Sequence, residues 1–250
     1  MIITKLDDIY KQVDEGKKEL PFTALLYCNP GVGKSTAIGL IAEQSKGKTL
    51  VLDVDRTIER TLAKKEIVKD TSKIDIIQID NIKTFDDWTQ VLVNLQEMKA
   101  KGELDVYDNI AVDNISELER CILSDLGSQG KNKGVPAMGD YQYMQFKLMN
   151  SLRYMKQLGL NIIWTAWEEL SQYTAPDGSG YSMLYPKVNR RILENICGLC
   201  DIVGRIVVNK ENKRGVLLEA TQNTYAKNQV DSRKGCLVEE FLNFEGGKEE

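Results

Sequence analysis

Apolar positions along this 250-residue chain switch repeatedly between a strand-like run and a helical period, and the switching sets the expected architecture. Phe22 to Tyr27 is a continuous apolar run ending in "CNPG", the pattern of a buried strand feeding a tight loop. After Ser35, apolar residues Ile38, Ile41 and Ala42 recur at helical spacing and the segment closes at Gly47, so a helix is expected there. "TLVLDVD" (49–55) and "SKIDIIQID" (72–80) read as the next two strands. A helix with Phe85, Trp88, Leu92 and Leu95 on one face follows. "NIAVDN" (109–114) is then a strand, Ile115, Leu118, Ile122 and Leu126 mark a helix, and Tyr141, Met144, Leu148, Leu152 and Met155 mark a longer one. "LNIIWTAW" (160–167) is a further strand.

Two stretches carry no period, "GSQGKNKGVPAMG" (127–139) and "SQYTAPDGSGYSMLYPK" (171–187), and both are expected as irregular surface loops. The tail "DIVGRIVVNKENKRGVLLEATQ" (201–222) has two β-rich runs around a polar turn, an antiparallel hairpin. Strands alternating with helices and ending in a hairpin predict an α/β fold, with a mainly parallel central sheet flanked by helices and a C-terminal antiparallel extension. Residues 1–20 read as an N-terminal amphipathic helix or arm, and 21–250 as one domain.

The stretch at the end of the first strand carries chemistry. "CNPGVGKST" (28–36) follows G-x-x-x-x-G-K-[ST] except that Cys28 stands where the first glycine belongs, and it lies between a predicted strand and a predicted helix, as a phosphate loop requires. Asn29, Pro30, Gly31, Val32, Gly33, Lys34, Ser35 and Thr36 are therefore the expected nucleotide-binding residues. The glycines let backbone N–H groups turn inward, and the helix adds its positive end. Lys34 would reach the terminal phosphates of ATP, and Ser35 would place its hydroxyl on Mg²⁺. The first glycine position precedes the tightest part of the loop, so a residue as small as Cys28 fits the pattern.

Hydrolysis needs a second acid for the metal and a base for the water. Asp113 closes the apolar strand "IAVD" and is the candidate metal-side acid; the alternative is a cap for the following helix, a role open to Asn114 as well. Asp53 and Asp55 share one face of their strand by period two, and Asp55, farther out, is the candidate base, although acids also simply terminate strands. Thr165 and Glu168 are candidate sensors of the γ-phosphate, with packing or solvation as the alternative.

Composition narrows the classes. The chain is 42% hydrophobic and 28% charged, which excludes disorder and fibrous repeats. It has no histidine, which excludes Ser-His-Asp and Cys-His catalysis and histidine-ligated metals. Cys197 and Cys200 form a single C-x-x-C among five cysteines; without a second pair no four-ligand zinc site exists, and buried thiols are expected. Apolar runs fall short of the ~20 residues of a membrane span. The N-terminus has no apolar signal core, so a cytoplasmic protein is expected. Net charge is −4, so any nucleic-acid contact must come from local basic patches.

"LLYCNPGVGKST", "LVLDVD", "IAVDN", "NIIWTAWEE", "CDIVGRIVV" and "YAKNQ", taken in this order, resemble the phage-encoded RecA-like P-loop ATPases, some of which act in single-strand annealing and recombination. The resemblance covers most of the chain. It implies a RecA-like fold, ATP and Mg²⁺ as cofactors, and Asp55 as catalytic carboxylate, although glutamate is commoner there. It also implies a homo-oligomer, ring or filament, acting on single-stranded DNA beside a phage single-strand binding protein in the bacterial host cytoplasm. In the family an Ala-Lys-Asp/Asn-Arg stretch sends cations to the neighbouring subunit's γ-phosphate. Here Lys227 is kept but Gln229 replaces the arginine, which predicts slow or DNA-stimulated hydrolysis unless Lys227 or Arg233 substitutes; a solvated strand-end lysine is the alternative for Lys227. The two irregular stretches stand where such ATPases carry DNA-binding loops. Lys131 and Lys133 with Tyr141 and Tyr143, and Lys187, Arg190 and Arg191 with Tyr173, Tyr181 and Tyr185, are the candidate DNA contacts. Alternatives are a nucleotide-gated assembly module with negligible turnover, and a helicase or helicase loader. A small-molecule kinase ranks below these, since no arginine-rich lid is present.

Overall fold

The computed structural model of the chain describes residues 20–63, 66–174, 178 and 180–244. The strands are β1 (Thr23–Cys28), β2 (Lys48–Asp53), β3 (Ile74–Gln78), β4 (Tyr107–Asp113), β5 (Asn161–Thr174), β6 (Gly180–Pro186), β7 (Ile202–Val208), β8 (Arg214–Leu217), β9 (Lys227–Asn228) and β10 (Gly235–Leu237). The helices are α1 (Lys34–Gln44), α2 (Ile58–Leu62), α3 (Thr84–Lys101), α4 (Ile115–Gln129), α5 (Met138–Lys156) and α6 (Arg190–Leu199).

They build one sheet in the order β10-β8-β7-β1-β5-β4-β2-β3, with β6 added to β5 and β9 to β7. The run from β7 to β3 is parallel, and β8, β10, β6 and β9 join antiparallel. All six residues of β1 are buried, because helices cover both faces of the parallel core and leave no polar side to alternate with. Alternate residues still part to opposite faces. Leu25, Tyr27, Trp88, Leu118, Leu148 and Trp164 pack in a core with α3 to α6, and Ala24, Leu26, Ile38, Ile41, Ile163 and Phe241 in one with α1. The sheet places β5 between β1 and β4, so the phosphate-loop strand and the acid-bearing strand are next-but-one neighbours with Thr165 between them.

The α/β architecture, mostly parallel sheet and late hairpin (β7–β8) are as the sequence predicts. Two segments differ. Within 171–187 the described residues form paired strands: β5 continues to Thr174 and pairs with β6 from Glu168↔Pro186 to Thr174↔Gly180. The paired strands outrun the apolar run that marks β5 in the sequence. In 127–139, α4 continues to Gln129, so only 130–137 is irregular; it folds back until a Cβ on Gly127 would meet the Gly134 carbonyl oxygen at 2.8 Å. The arm expected at 1–20 lies, except for Leu20, outside the described residues. Among the described residues no helix is long and apolar enough to cross a membrane.

Candidate nucleotide site

The loop between β1 and α1 has the backbone that its glycines foretell: φ is +83° at Gly31 and +123° at Gly33, in the range that side chains rarely adopt. α1 begins at Lys34 with no side-chain cap and no acid in its first turn, so its positive end is left for an external anion. Cys28 is the last residue of β1 and packs in the core under α1. Burial pushes its thiol up to about 11, so it is a neutral, small hydrophobe at the strand exit. A glycine is not required there because the chain has not yet turned.

Asp113 ends β4, fully buried, and its two oxygens are separately engaged. The Ser35 hydroxyl donates to Oδ2 at 2.5 Å and the Thr165 hydroxyl to Oδ1 at 2.7 Å. The helix cap is the next residue: Asn114 Oδ1 accepts from the Glu117 N–H at 2.9 Å. The Asn114 amide then reaches Asp55, donating to Oδ2 at 2.7 Å. β2 ends at Asp53, and the backbone N–H groups of Val54 and Asp55 donate to the Asp113 carbonyl at 2.8 and 3.2 Å, which draws Asp55 beside the β4 terminus. Asp53 points into the interior, fully buried, and accepts from the Ile58 N–H at 3.4 Å. Asp55 instead lines the cleft over the phosphate loop. Burial first, and the Asp113 carboxylate second, push the Asp55 carboxyl up to about 7, opposed by the Lys34 ammonium. Among the described residues its Oδ1 has no hydrogen-bond partner. An acid poised near neutrality, with one oxygen held by Asn114 and the other buried without a partner among the described residues, is suited to accept a proton from a water bound in the cleft.

The cleft holds about 580 Å³. Pro30, Gly31, Gly33, Lys34, Ser35 and Thr36 form its floor, with Asp55 and Arg60 toward β2 and Arg214 toward β8. Ser35 and Asp113 offer two hard oxygens side by side, and among the described residues no three carboxylates or thiols form a closed metal cage. That donor set fits Mg²⁺, which keeps waters and takes substrate phosphate oxygens besides one or two protein ligands.

Other candidates lie as follows. Glu168 pairs with Arg205, Nε to Oε2 at 2.5 Å, and accepts from the Asn29 amide at 2.8 Å, so it braces the phosphate loop from behind. Lys227 is outside the cleft lining; its ammonium sits 2.6 Å from the Cys200 carbonyl and 3.3 Å from those of Cys197 and Gly198, at the C-terminal end of α6. Lys131 and Lys133 are exposed in the 130–137 loop. Lys187 lies over the Trp167 ring at 5.8 Å. Arg190 and Arg191 start α6, Arg190 reaching Glu169 at 3.9 Å. Asn114 was legible only as a cap, while Trp167, Arg60 and Arg214 left no sequence signal because tertiary folding alone brings them to the loop.

A phosphate loop on the central strand, an acid one strand beyond its neighbour and a serine hydroxyl joined to that acid define a P-loop ATPase fold. The chain belongs to the AAA domain family, whose sequence profile matches residues 20–230. No curated protein matches the chain significantly. Similar solved structures include the RadB recombinase, at 12% identity and TM-score 0.44 over 83% of this chain and 84% of that one. Another is the KaiC-like protein PH0186 from the hyperthermophilic archaeon Pyrococcus horikoshii OT3, at 17% and 0.43 over 81% of both chains. A third is an ATPase from the type III secretion system of pathogenic bacteria, at 16% and 0.45 over 77% of this chain and 53% of that one.

Proposed function

We propose that the protein is a Mg²⁺-dependent ATPase whose nucleotide state governs its hold on single-stranded DNA, in annealing or strand pairing of the kind carried out by the phage ATPases it resembles. The observation that carries the ATPase part is the continuous network Ser35–Asp113–Thr165 with Asp113, Asn114 and Asp55 joined at one end of the cleft. Bound there, Mg²⁺ would draw charge off the β- and γ-phosphates, held by Ser35 and Asp113. Lys34 and the loop amides stabilise the negative charge that builds as the γ-phosphoryl leaves. Asp55 takes the proton of the attacking water, and the Asn114 amide fixes the carboxylate's orientation.

Support for the DNA part lies in what the same elements lead to. α4 is capped by Asn114 and ends at the loop bearing Lys131 and Lys133, beyond which Tyr143 and Phe146 are 64% and 67% exposed on α5. Cations interleaved with exposed aromatic faces suit a sugar–phosphate backbone with stacked bases. β5 carries Thr165 at the site and runs on into the hairpin, next to Lys187, Arg190 and Arg191. Ser116, in the first turn of α4, accepts from the Trp167 N–H at 2.9 Å and donates to the Lys187 carbonyl at 2.7 Å, so both routes are joined beside the cleft. A ring or filament of copies in the bacterial host cytoplasm, working with a phage single-strand binding protein, follows from the same resemblance.

A nucleotide-gated assembly module with little turnover is the second reading, favoured by Gln229 and by the engagement of Lys227 with α6. Steady-state ATP hydrolysis with and without a single-stranded oligonucleotide separates the two. Stimulation that disappears in Lys34→Ala, together with weakened oligonucleotide binding in the Lys131→Glu/Lys133→Glu double variant, supports the leading proposal. Nucleotide binding without turnover under any condition supports the second. A double variant that binds DNA as the parent does sinks the assignment of that loop.

A further inference from the structure

We infer that Arg214 is a nucleotide-binding residue supplied by the chain's own late hairpin, contacting the α-phosphate and nucleoside end of a nucleoside di- or triphosphate. The inference rests on the nucleotide reading of the cleft and adds a residue that no part of the phosphate-loop pattern contains.

Arg214 is the first residue of β8, directly after a turn built by one side chain. Asn209 Oδ1 accepts from the N–H groups of Glu211 and Lys213 at 3.0 and 2.9 Å, and the Asn209 N–H donates to the Lys213 carbonyl at 2.9 Å. The register Val208↔Arg214 then fixes where the arginine leaves the sheet. β8 is separated from β1 only by β7, roughly 10 Å of sheet, a gap that an arginine side chain and the protruding loop close together.

They do meet. Arg214 Nε donates to the Val32 carbonyl at 3.1 Å, and its side chain lies on Gly33, where an added Cβ would collide with Nε and stand 3.0 and 3.2 Å from Cδ and Cζ. Glycine at 33 therefore serves two ends: it holds a φ of +123° and it lets a guanidinium rest on the phosphate loop. The Nε–H bond uses one of five guanidinium donors. Among the described residues no carboxylate pairs with Arg214, whose one hydrogen bond there is that of Nε, and the residue lines the cleft. A half-buried arginine that lines a phosphate cleft with no carboxylate partner among the described residues is matched to an anionic ligand.

Position within the cleft assigns the end of the ligand. Asp55, Ser35 and Asp113 gather on the β2–β4 side and mark where a γ-phosphate is attacked. Arg214 comes from the opposite side of the loop, across β7. It thus faces the part of the ligand common to ATP and ADP, and it does not replace the cation missing at Gln229.

The test is calorimetric binding of Mg-ATP and Mg-ADP to the parent protein, Arg214→Gln and Arg214→Lys, with kcat, KM and the melting midpoint of the nucleotide-free proteins. The expected result is a Kd raised ~10- to 100-fold for both nucleotides alike in Arg214→Gln, from loss of a charge-assisted bond. KM should rise while kcat stays within about threefold, Arg214→Lys should recover part of the affinity, and the nucleotide-free midpoint should hold. A Kd unchanged for both nucleotides overturns the inference, as does a loss confined to ATP or to kcat. A lowered nucleotide-free midpoint with parental affinity makes Arg214 a structural brace and also overturns it. If the parent protein binds neither nucleotide, the reading of the cleft itself falls.

Discussion

Replacing Asp55 by Asn separates two properties of one carboxyl group, the acidity that its surroundings impose and the role of base proposed for it. The carboxyl is raised from 3.8 to about 7 by burial and by Asp113, a shift of about three units. At 1.36 kcal/mol per unit this is about 4 kcal/mol of native-state strain on the ionised form. Asp55 borders an open cleft, and solvent screening there reduces the figure to about 2 kcal/mol. The sign follows from proton counting. Between about pH 4 and 7 the folded protein keeps the Asp55 proton and the unfolded chain loses it, so stability falls as pH rises and the full loss is reached above pH 7. Asn at 55 carries no such penalty, and its carbonyl can still accept from Asn114. Thermal melts of Asp55→Asn and the parent at pH 5 and pH 8 should therefore diverge. The variant should gain roughly 4–8 °C at pH 8, taking ~2–4 °C per kcal/mol for a chain of this size, and clearly less at pH 5. ATP hydrolysis should drop ~10²-fold or more, with ATP affinity retained or improved as a negative charge leaves the γ-phosphate end. In the parent, kcat/KM should climb with pH across neutrality. A variant less stable than the parent at pH 8, or a gain equal at both pH values, refutes the electrostatic argument. Hydrolysis within tenfold of the parent refutes Asp55 as the base.

Two further changes probe the frame around the site. The buried Tyr27 hydroxyl, near the end of β1, lies 2.6 Å from the Tyr225 carbonyl and 3.0 Å from that of Leu184, which also accepts from the Tyr225 N–H, so Tyr27→Phe takes a donor from the Tyr225 carbonyl at a cost of ~1–3 kcal/mol. A melting midpoint lowered by about 5 °C is expected by circular dichroism, and an unchanged midpoint would remove the hydroxyl from the stability argument. Lys227→Met withdraws a cation from the C-terminal carbonyls of α6, worth ~1 kcal/mol, and should lower the midpoint by about 3 °C while leaving hydrolysis near parental. Lost hydrolysis at parental stability would instead restore the role in a neighbouring subunit's site that the family resemblance implies.

The elements that the sequence foretells best are those whose pattern is enforced locally. β1 and α1 follow from an apolar run, a glycine turn and a helical stripe, each of which acts within a few residues. The hairpin of β5 and β6 was hidden because its strands leave the sheet: Leu170 is 61% exposed and Tyr181 41%, so no buried face imposed an alternation. α6 falls between the irregular stretch and the tail, where the sequence reading assigns no element, although Ile192, Ile196 and Cys197 are spaced for one face and Asn189 caps it. α2, with five residues, is too short to show a period at all.

In the site the same division has a chemical meaning. Lys34, Ser35 and Asp113 could be read because each belongs to a segment whose local geometry requires it, and Asp55 because a strand ends beside it. Asn114, Glu168 and Arg214 act on those residues from other strands, and the constraint that selects them is a distance across the sheet. The open choice between Asp113 and Asn114 as cap is decided by such a constraint. Asp113 has both oxygens taken by Ser35 and Thr165, from α1 and β5, which leaves the cap to its neighbour. That neighbour then turns its amide to Asp55. One dipeptide thus joins the proposed metal-side acid, the proposed base and the first turn of α4, the helix that ends at the loop bearing Lys131 and Lys133. That helix and the β5–β6 hairpin both lead from the cleft toward the proposed DNA contacts, and Ser116 bonds to the segments on either side of the hairpin, at Trp167 and Lys187.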